Sequence, residues 1–418
     1  MKNNRISENI LFCAWNALME WERSNTTLDE CLDKLRSDGC EGKPAVSSLL
    51  FEYFRHKEFV DQLIASRAKK GAVRQDLRNL LACAVTQMVF QTGIAAQSAA
   101  NIAVDCAKRK FGRGPSAFVN AILRAILASD EIKTPPPCSF PQRLRAHWIK
   151  EFGEEQTTHL IENYATNPLP SFRLRNVGLP GCDEQEIYRE ISALPFKSPF
   201  RFYEILKPEK FFKLNWLEKG IVYVQDPATM VALSLLGDKL KGKVLDACAA
   251  PGGKSILLWD LAKKAGSEIQ LTAADRSLQR INTLKENLQN AGVTAEVLHA
   301  SAEKNPFKKD SFDLILADVP CGNSGVIRRR CDVPWHFSTS KLADIVKLQA
   351  EILNALAQLV KPGGALLYST CSIEQNEDEK QIENFLAKHP DFRFVRQLKQ
   401  MPSALCDGAF GALLERIS

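Results

Sequence analysis

The sequence predicts three parts: an all-α domain, a small α+β domain behind a proline-rich linker, and an α/β domain with a doubly wound parallel sheet. Three observations predict this order. Apolar residues recur at three- and four-residue spacing through the first 130 residues, which is typical of packed helices. Three prolines at residues 135–137 interrupt that pattern. From about residue 216, short apolar runs alternate with helical segments, which indicates parallel strands with helices on both faces of the sheet.

The N-terminal helices are predicted from two apolar faces, formed by Leu77, Leu80, Leu81, Ala84 and Met88, and by Phe118, Ile122, Leu123 and Ile126. A helix bundle is therefore expected over residues 1–133. Consecutive prolines cannot continue a helix and favour an extended spacer, so we expect a domain boundary at residue 134. Residues 134–215 then form the linker and the small domain. In it we predict helices at Gln142–Phe152 and Glu184–Ala193, and strands at Phe172–Arg175 and Phe200–Leu206.

The third domain, residues 216–418, is predicted from strand candidates at Lys243–Asp246, Ile269–Ala274, Ala295–His299, Phe312–Ala317 and Ala365–Ser369. Helices are predicted between most of these strands, at Ser255–Lys264, Leu278–Ala291 and Lys341–Val360. Two further strand-like runs, Phe392–Val395 and Ala409–Ile417, are expected to form an antiparallel hairpin at the edge of the sheet.

Composition and charge restrict the class of protein. With 45% hydrophobic and 25% charged residues, long disordered stretches are not expected. The net charge of +6 permits a nucleic-acid partner without requiring one. No apolar run approaches the roughly 20 residues of a membrane span, and the first residues show no secretory signal. A cytoplasmic protein with no membrane partner is expected.

The 12 cysteines include no Cys-x-x-Cys pair, and no cluster of histidines accompanies them. Neither a zinc site nor a disulfide framework is therefore expected, and no metal site is predicted. Free thiols in a reducing compartment are expected instead.

A turn rich in small residues joins the first strand of the third domain to a helix, in the sequence Val-Leu-Asp-Ala-Cys-Ala-Ala-Pro-Gly-Gly-Lys-Ser of residues 244–255. Small residues let the backbone approach a ligand closely at the carboxyl edge of a parallel sheet. A phosphate loop is excluded, because Cys248 stands where that loop requires a glycine. Asp275 lies 22 residues after Gly253, where an acidic residue binds ribose hydroxyls in such sheets. A nucleoside-bearing cofactor without phosphates is expected, which favours S-adenosylmethionine (SAM).

Two cysteines follow the predicted ends of strands: Cys321 in Asp318-Val-Pro-Cys and Cys371 in Ser-Thr-Cys-Ser. Both loops are expected at the carboxyl edge of the sheet, so the two thiols and Asp318 are predicted to share the cofactor's pocket. A single free cysteine is more often a buried structural residue. Two at strand ends, one of them beside Asp-x-Pro, favour a chemical role.

These residue types fit the addition of a methyl group to a pyrimidine ring. Cytosine C5 is too weak a nucleophile to take the methyl group of SAM directly. A thiolate that adds to C6 makes C5 nucleophilic, and a carboxyl group can hold the ring and stabilise the charge that develops there. A second thiol can assist release of the product. The spacing does not decide whether Cys321 or Cys371 attacks.

These motifs resemble a known family. Asp246–Lys254, Asp318–Cys321 and Thr370–Ser372 are similar to motifs of the Sun/NOL1/NOP2 family of RNA 5-methylcytosine methyltransferases, as are Val224–Pro227, Gly325–Arg329 and Asp407–Phe410. In the helical part, the segments that look like the NusB-like RNA-binding domain are Gln97–Val104, Ala107–Lys110 and Phe118–Arg124. That domain is fused to the methyltransferase in the bacterial Sun/Fmu (RsmB) subfamily.

The resemblance implies a Rossmann-like class I SAM-dependent methyltransferase domain that acts on C5 of a cytosine in 16S rRNA, preceded by a NusB-like domain. It implies that Cys371 is the nucleophile, that Cys321 aids product release, and that Asp318 borders both the cofactor and the target base. The implied cofactor-binding residues are Cys248, Ala249, Ala250, Pro251, Gly252, Gly253, Lys254, Asp275, Ser301 and Asp318. Ser301 stands where the family usually has an aspartate near the adenine, and Gly322 stands where it usually has a serine.

Two basic clusters are candidates for contact with RNA phosphates: Lys108, Arg109 and Lys110, and Arg328, Arg329 and Arg330. For the first cluster, a solvated charged face is an equal alternative. Trp335 and His336 are candidates for stacking on an extruded base, with core packing of Trp335 as the alternative. The expected partner is 16S rRNA, either naked or within a small-subunit assembly intermediate, and a monomer is expected. The alternative functions are methylation of tRNA and a non-catalytic role as an RNA-binding assembly factor.

Overall fold

The computed structural model describes residues 2–24, 26–37, 40, 42–68, 73–175 and 186–417. The chain forms two compact units. The first comprises Met1–Thr166 and the separate segment Ile327–Phe337, and the second comprises Asn167–Val326 and Ser338–Ser418. The domain boundaries expected at residues 134 and 216 stay predictions. None of the helices in the described ranges combines the length and the apolar character that crossing a membrane requires.

The α-helices of the described ranges are α1 (Lys2–Arg23), α2 (Leu28–Ser37), α3 (Lys43–Arg55), α4 (Lys57–Arg67), α5 (Gln75–Phe90), α6 (Ala96–Phe111), α7 (Arg113–Leu127), α8 (Gln142–Phe152), α9 (Glu154–Tyr164), α10 (Pro208–Phe211), α11 (Met230–Leu233), α12 (Gly253–Ala265), α13 (Leu278–Asn290), α14 (Val333–His336), α15 (Thr339–Ala357) and α16 (Glu379–Lys388). Single 3₁₀ turns lie at Asp130–Ile132, Phe212–Leu214, Pro227–Thr229, Gly237–Lys239 and Ser324–Val326.

The strands of the described ranges are β1 (Ser171–Leu174), β2 (Tyr188–Glu190), β3 (Phe202–Ile205), β4 (Val222–Val224), β5 (Gly242–Asp246), β6 (Ile269–Asp275), β7 (Ala295–His299), β8 (Phe312–Asp318), β9 (Val360–Thr370), β10 (Phe392–Gln400) and β11 (Ala409–Arg416).

Helix α5 is the central helix of the first unit. It packs against α1, α3, α4, α6 and α7, and the residues from Leu77 to Met88 are buried apart from Arg78. A helix that is apolar on nearly all sides is stable only where other helices surround it, which explains its place in the bundle. The predicted all-α N-terminal domain is confirmed.

One prediction about the cysteines is wrong. Cys13 on α1 and Cys40, between α2 and α3, form a disulfide whose Cα atoms are 6.6 Å apart. Sequence spacing could not reveal it, because the packing of α1 against α2 and α3 brings together residues that are 27 positions apart. The other cysteines of the described ranges, including Cys321 and Cys371, are free.

An antiparallel sheet in the order β2-β3-β1-β4 begins the second unit. The predicted strands in this region correspond to β1 and β3. The predicted helix Glu184–Ala193 is wrong where it is described, because residues 188–190 form β2, which pairs with β3; residues 184–185 lie outside the described ranges. Ile187 and Ile191 are four residues apart, which favours a helix from pattern alone, but both side chains are buried beside a strand.

The second sheet of this unit has seven strands in the order β10-β11-β9-β8-β5-β6-β7. The neighbouring pairs from β9 to β7 are parallel, whereas β11 runs antiparallel to both β9 and β10. The predicted parallel sheet is thus confirmed, and the C-terminal runs form the expected hairpin. Of that hairpin only β10 lies at the edge, because β11 is inserted between β10 and β9.

Apolar side chains cover both faces of this sheet. Val244 and Leu314 belong to the core on one face, and the next residues along each strand, Leu245 and Ile315, belong to the core on the other. Successive residues of a strand point to opposite faces, so strands buried on both sides read as continuous apolar runs. The parallel strands all end at one edge, where Asp246, Asp275, Asp318 and Thr370 are the last residues of β5, β6, β8 and β9.

Candidate active site

The turn between β5 and α12 is fixed by backbone contacts and by the carboxylate of Asp275. The N–H of Ala249 donates to the carbonyl of Ala274 at 2.9 Å. The N–H of Ala250 donates to one carboxylate oxygen of Asp275 at 3.0 Å, and the N–H of Ser277 donates to the other at 2.9 Å. Asp275 therefore lies beside the turn, and its binding of a ribose stays a prediction.

Gly252 gives this turn its shape. Its φ of 110° lies in the left-handed region, and a Cβ there would lie 3.1 Å from Leu284 on α13. A side chain would be strained in conformation and crowded. The turn can therefore bring bare backbone close to a ligand at the start of α12.

Asp246, the last residue of β5, supplies an observation that fits a cofactor. Its side chain is fully buried, and one carboxylate oxygen accepts a hydrogen bond from Ser255 at 2.6 Å. The other oxygen has no partner with good hydrogen-bond geometry, although the backbone N–H of Cys248 also acts to lower the pKa of this carboxyl. Burial raises the pKa of this carboxyl to about 7, more than the Ser255 hydroxyl lowers it. A buried acceptor without a well-aligned partner is unusual, and a cofactor with N–H or O–H groups would satisfy it.

Ser301 lies two residues beyond the end of β7 and is half-buried. The preceding N–H, that of Ala300, donates to the backbone carbonyl of Asp275 at 3.1 Å. The ends of β6 and β7 thus place Ser301 near the residue predicted to hold the ribose. Cys248 is also half-buried, and burial raises the pKa of its thiol well above the usual value. Its side chain therefore stays uncharged in the turn.

Lys254, in the first turn of α12, is paired with Asp318. The ammonium group lies 2.9 Å from one carboxylate oxygen, and the hydroxyl of Ser369 donates to the other oxygen at 2.9 Å. Burial alone would lower the pKa of Lys254, but the charge of Asp318, its hydrogen bond and the charge of Cys371 together raise it. The lysine is therefore a fixed cation whose field reaches the Cys371 sulfur.

The two candidate thiols are in contact. The sulfur atoms of Cys321 and Cys371 are 3.2 Å apart, and both side chains are half-buried. The hydrogen bond to Cys371, and then burial, raise the pKa of the Cys321 thiol well above its usual value. A Cys321 thiol that keeps its proton can donate it toward Cys371 and stabilise a thiolate there.

Asn323 completes this group. Its side-chain oxygen accepts a hydrogen bond from the Cys371 thiol at 3.2 Å, and its amide nitrogen donates to the carbonyl of Cys321 at 3.0 Å. Its φ of 58° turns the chain back sharply, a conformation that asparagine tolerates better than most residues. Asn323 is not among the site residues predicted from the sequence. The signal was a polar residue with a known tolerance for tight turns two positions after Cys321.

The basic clusters differ in exposure. Lys108, Arg109 and Lys110 are exposed in the last turn of α6, where cations also interact favourably with the helix dipole. Arg328 is 3% exposed within the first unit, so a contact between its side chain and RNA is contradicted by its burial. Arg330 is partly exposed and pairs with Asp29 at 3.2 Å. Phosphate contacts by Arg329, Arg330 and the α6 cluster stay predictions.

The side chains of Trp335 and His336 contact other residues of the first unit. The Trp335 indole donates to the carbonyl of Phe54 at 2.8 Å, and the His336 ring lies 4.3 Å from the ring of Trp21. The alternative of core packing for Trp335 therefore describes the structure better than base stacking.

Two family models match parts of this chain. Residues 233–407 match the family described as 16S rRNA methyltransferase RsmB/F, and residues 11–128 match the NusB family. One chain therefore combines a part similar to the NusB family with a part similar to the RsmB/F family of 16S rRNA methyltransferases. This family is SAM-dependent, which confirms the predicted cofactor.

Curated relatives extend over most of the chain. The ribosomal RNA small subunit methyltransferase B of Vibrio cholerae is 29% identical and covers 86% of this chain and 85% of its own length. The protein of the same name from Photorhabdus laumondii is 29% identical and covers 94% and 93%. The RsmB/F resemblance thus includes both the NusB part and the methyltransferase part.

Solved structures share the fold. The protein PH0851 superposes with a TM-score of 0.78 at 22% identity, over 98% of this chain and 99% of that chain. NSun6 from Pyrococcus horikoshii, solved with SFG, superposes with a TM-score of 0.54 at 18% identity, over 67% and 99%. At these identities the likeness shows the fold and nothing finer.

Proposed function

We propose that this protein is a member of the RsmB/F methyltransferases and methylates C5 of a cytosine in 16S rRNA through a transient bond between Cys371 and C6 of the base. The observation that supports this most is the contact between the Cys321 and Cys371 sulfurs at 3.2 Å. Both thiols lie at the sheet edge where the Lys254–Asp318 pair adjoins the cofactor turn. A methyltransferase whose target atom is already nucleophilic needs no thiol to activate the substrate, and so has no use for two thiols in contact.

The residues divide the chemistry between them. Cys371 adds to C6 as a thiolate, and the electron pair of the C5–C6 double bond moves toward C5. When bound, SAM supplies the electrophilic methyl group that C5 takes. Asp318 borders the ring and can stabilise the charge that develops on its nitrogens, while Lys254 keeps Asp318 in place and favours the thiolate of Cys371.

Release reverses the addition. The C5 proton leaves to a base, the electron pair of the C5–H bond re-forms the C5–C6 double bond, and Cys371 departs as a thiolate. Cys321 holds a proton in contact with that sulfur, so it can stabilise the departing thiolate. Without Cys321 the addition remains possible but release is slow.

A trapping experiment tests these roles. Cys321→Ala is incubated with a 16S rRNA transcript and SAM, and the products are separated on a denaturing gel. We expect a covalent protein–RNA adduct that disappears in the Cys321→Ala/Cys371→Ala double variant. Cys138→Ala, which changes a free half-buried cysteine of the first unit, is the matched control and should form no stable adduct.

The outcomes distinguish the alternatives. An adduct with Cys371→Ala and none with Cys321→Ala would reverse the two roles. An adduct formed with tRNA transcripts alone would replace the proposed substrate. If no adduct forms and no methyl group reaches either RNA, the proposed cytosine chemistry is refuted. Bisulfite sequencing of 16S rRNA from cells with and without the protein would then identify the target cytosine.

The NusB part is proposed to bind the RNA. Its exposed cluster Lys108, Arg109 and Lys110 is the best candidate for phosphate contact, because RNA binding by cations depends on exposure. Neutral substitution of the three should weaken binding and reduce its dependence on salt. Comparing a naked transcript with a partly assembled small subunit shows which form is the substrate.

A further inference from the structure

Glu377 is a buried acid near the two thiols to which the chemistry above assigns no role. It lies six residues after Cys371, between β9 and α16, and its side chain is fully buried. Burial raises the pKa of its carboxyl, against hydrogen bonds that lower it. A buried acid is costly unless donors satisfy it, so its donors indicate its role.

Each carboxylate oxygen of Glu377 holds the residue that follows one of the thiols. The backbone N–H of Gly322, directly after Cys321, donates to Oε2 at 2.8 Å. The hydroxyl of Ser372, directly after Cys371, donates to Oε1 at 2.6 Å. One side chain thus joins two loops that are 50 residues apart in sequence.

A third donor fixes the other side of Cys321. The side-chain nitrogen of Gln349, on α15, donates to Oε2 of Glu377 and to the carbonyl of Pro320, both at 2.9 Å. Pro320 directly precedes Cys321, so hydrogen bonds hold the chain on both sides of this thiol. Gln349 and Ser372 are themselves fully buried, so water does not compete for these bonds.

Gly322 leaves room for this arrangement. A Cβ at this position would lie 2.8 Å from Oε1 of Glu377, closer than real Cβ contacts come. The atom that would have to move belongs to the carboxylate that joins the loops. Glycine at this position therefore suits the close approach of Glu377, where the resembling family usually has serine.

We propose that Glu377 is a positioning residue that sets the separation of the Cys321 and Cys371 thiols by holding the loop of each on one carboxylate oxygen. Its importance for methyl transfer rests on the proposed function, whereas its effect on the distance between the sulfurs does not. Glutamine has the same shape, but its NH₂ group cannot accept a hydrogen bond. At the Oε2 position it loses the bonds from Gly322 and Gln349, and at the Oε1 position it keeps the Ser372 contact only if that hydroxyl turns to accept. Glu377→Gln should therefore loosen one loop.

The first measurement needs no substrate. Diamide oxidises two neighbouring thiols to a disulfide, and both thiol hydrogens pass to its N=N bond. The rate at which a Cys321–Cys371 link appears, followed by mass spectrometry of peptides, reports how closely the sulfurs are held. We expect Glu377→Gln to form the link about tenfold more slowly than the unaltered protein, since the rate depends on the two sulfurs being held in position. Glu379 lies two residues after Glu377, and its carboxylate pairs with Lys399. The control variant Glu379→Gln should leave the rate unchanged.

The second measurement is steady-state methylation of a 16S rRNA transcript. We expect kcat of Glu377→Gln to fall about 100-fold, since a displacement of about 1 Å at reacting groups has effects of that size. KM for RNA and for SAM should stay within about twofold, because the fully buried Glu377 side chain is not open to either ligand. A purely structural role would instead lower the amount of folded protein and leave kcat per folded molecule unchanged.

The outcomes separate the two proposals. Unchanged linking and unchanged kcat in Glu377→Gln would overturn the positioning role. Slower linking, in a protein whose unaltered form transfers no methyl group to C5, would support the positioning role and refute the proposed function. If Glu377→Gln does not fold, Ser372→Ala decides, because it removes one loop contact and keeps the carboxylate. A linking rate of Ser372→Ala equal to that of the unaltered protein would overturn the proposal.

Discussion

The carboxylate of Asp332 accepts a hydrogen bond from the indole N–H of Trp21 at 3.2 Å, across 311 positions of sequence. The same oxygen accepts the N–H of Leu28, the first residue of α2, at 2.9 Å. Asp332 thus satisfies one of the N–H groups that the start of a helix leaves without an intrahelical partner. Asp332 lies among the residues that match RsmB/F, and α2 lies among those that match NusB. Asp332 therefore stabilises a helix of the NusB part.

Replacing Asp332 should destabilise the first unit. In Asp332→Ala the N–H groups of Trp21 and Leu28 lose a buried acceptor, which should cost about 2 kcal/mol in the free energy of unfolding. The measurement is unfolding in urea followed by tryptophan fluorescence. Asp33→Ala removes an exposed carboxylate paired with Lys43 and should cost less than about 1 kcal/mol. Equal effects of the two substitutions would show that the Asp332 contacts contribute little.

Lys254 should control the reactivity of Cys371. In a Cys321→Ala background, Lys254→Met removes the cation whose charge acts on both Asp318 and Cys371. The thiolate form of Cys371 is then less favoured, and alkylation by iodoacetamide near neutral pH should slow about tenfold. Mass spectrometry of the peptide that contains Cys371 measures this rate. Lys285→Met, on the exposed side of α13, is the control; if both variants react alike, Lys254 does not activate the thiol.

The main sheet is readily predicted from sequence because its central strands are buried on both faces. Leu314, Ile315 and Leu316 form an unbroken apolar run, and such runs between turns indicate strands of a parallel sheet. The same reasoning failed at β2, where Tyr188 pairs with Ile205 across a sheet. A strand of three residues carries too little pattern to exclude a helix.

The proximity of the two candidate thiols could be predicted for a related reason, whereas the contacts that support them could not. Parallel strands place their carboxyl ends together, so the sequence alone predicts that Cys321 and Cys371 lie near each other. The Glu377 contacts to Gly322 and Ser372 depend on how a loop after β9 folds back, and no periodicity describes that. The burial of Arg328 likewise follows from the segment Ile327–Phe337 belonging to the first unit.

The pH dependence of stability should contain a contribution from Asp246. Its pKa in the folded protein is about 7, above that of an unfolded aspartate. The folded state therefore binds the Asp246 proton more tightly than the unfolded state does. The stability that this proton contributes to the folded state is fully present below the unfolded pKa and is lost as pH rises through about 7. Between about pH 5 and about pH 8 the free energy of unfolding should fall by about 2 to 3 kcal/mol from this group. Urea unfolding at both pH values measures the change.

Asp246→Asn should remove this part of the pH dependence, because an amide does not titrate, and its side chain can still bond to Ser255. The exposed Asp238 gives the control, Asp238→Asn, which should keep the full difference between the two pH values. The idea fails if Asp246→Asn loses as much stability between the two pH values as the unaltered protein does.

Oxidation should inactivate methyl transfer reversibly through the Cys321 and Cys371 thiols. Their sulfurs, 3.2 Å apart, need to approach by about 1.2 Å to reach the bond length of a disulfide. Treatment with diamide should therefore abolish methyl transfer, and dithiothreitol should restore it. Mass spectrometry should find Cys321 linked to Cys371 in the inactive protein. Because the link would occupy the sulfur that we propose attacks C6, the inactive protein should form no adduct with RNA, while the proposed binding through the NusB part should remain. Inactivation without the link, or with loss of RNA binding, would place the sensitive cysteine elsewhere in the chain.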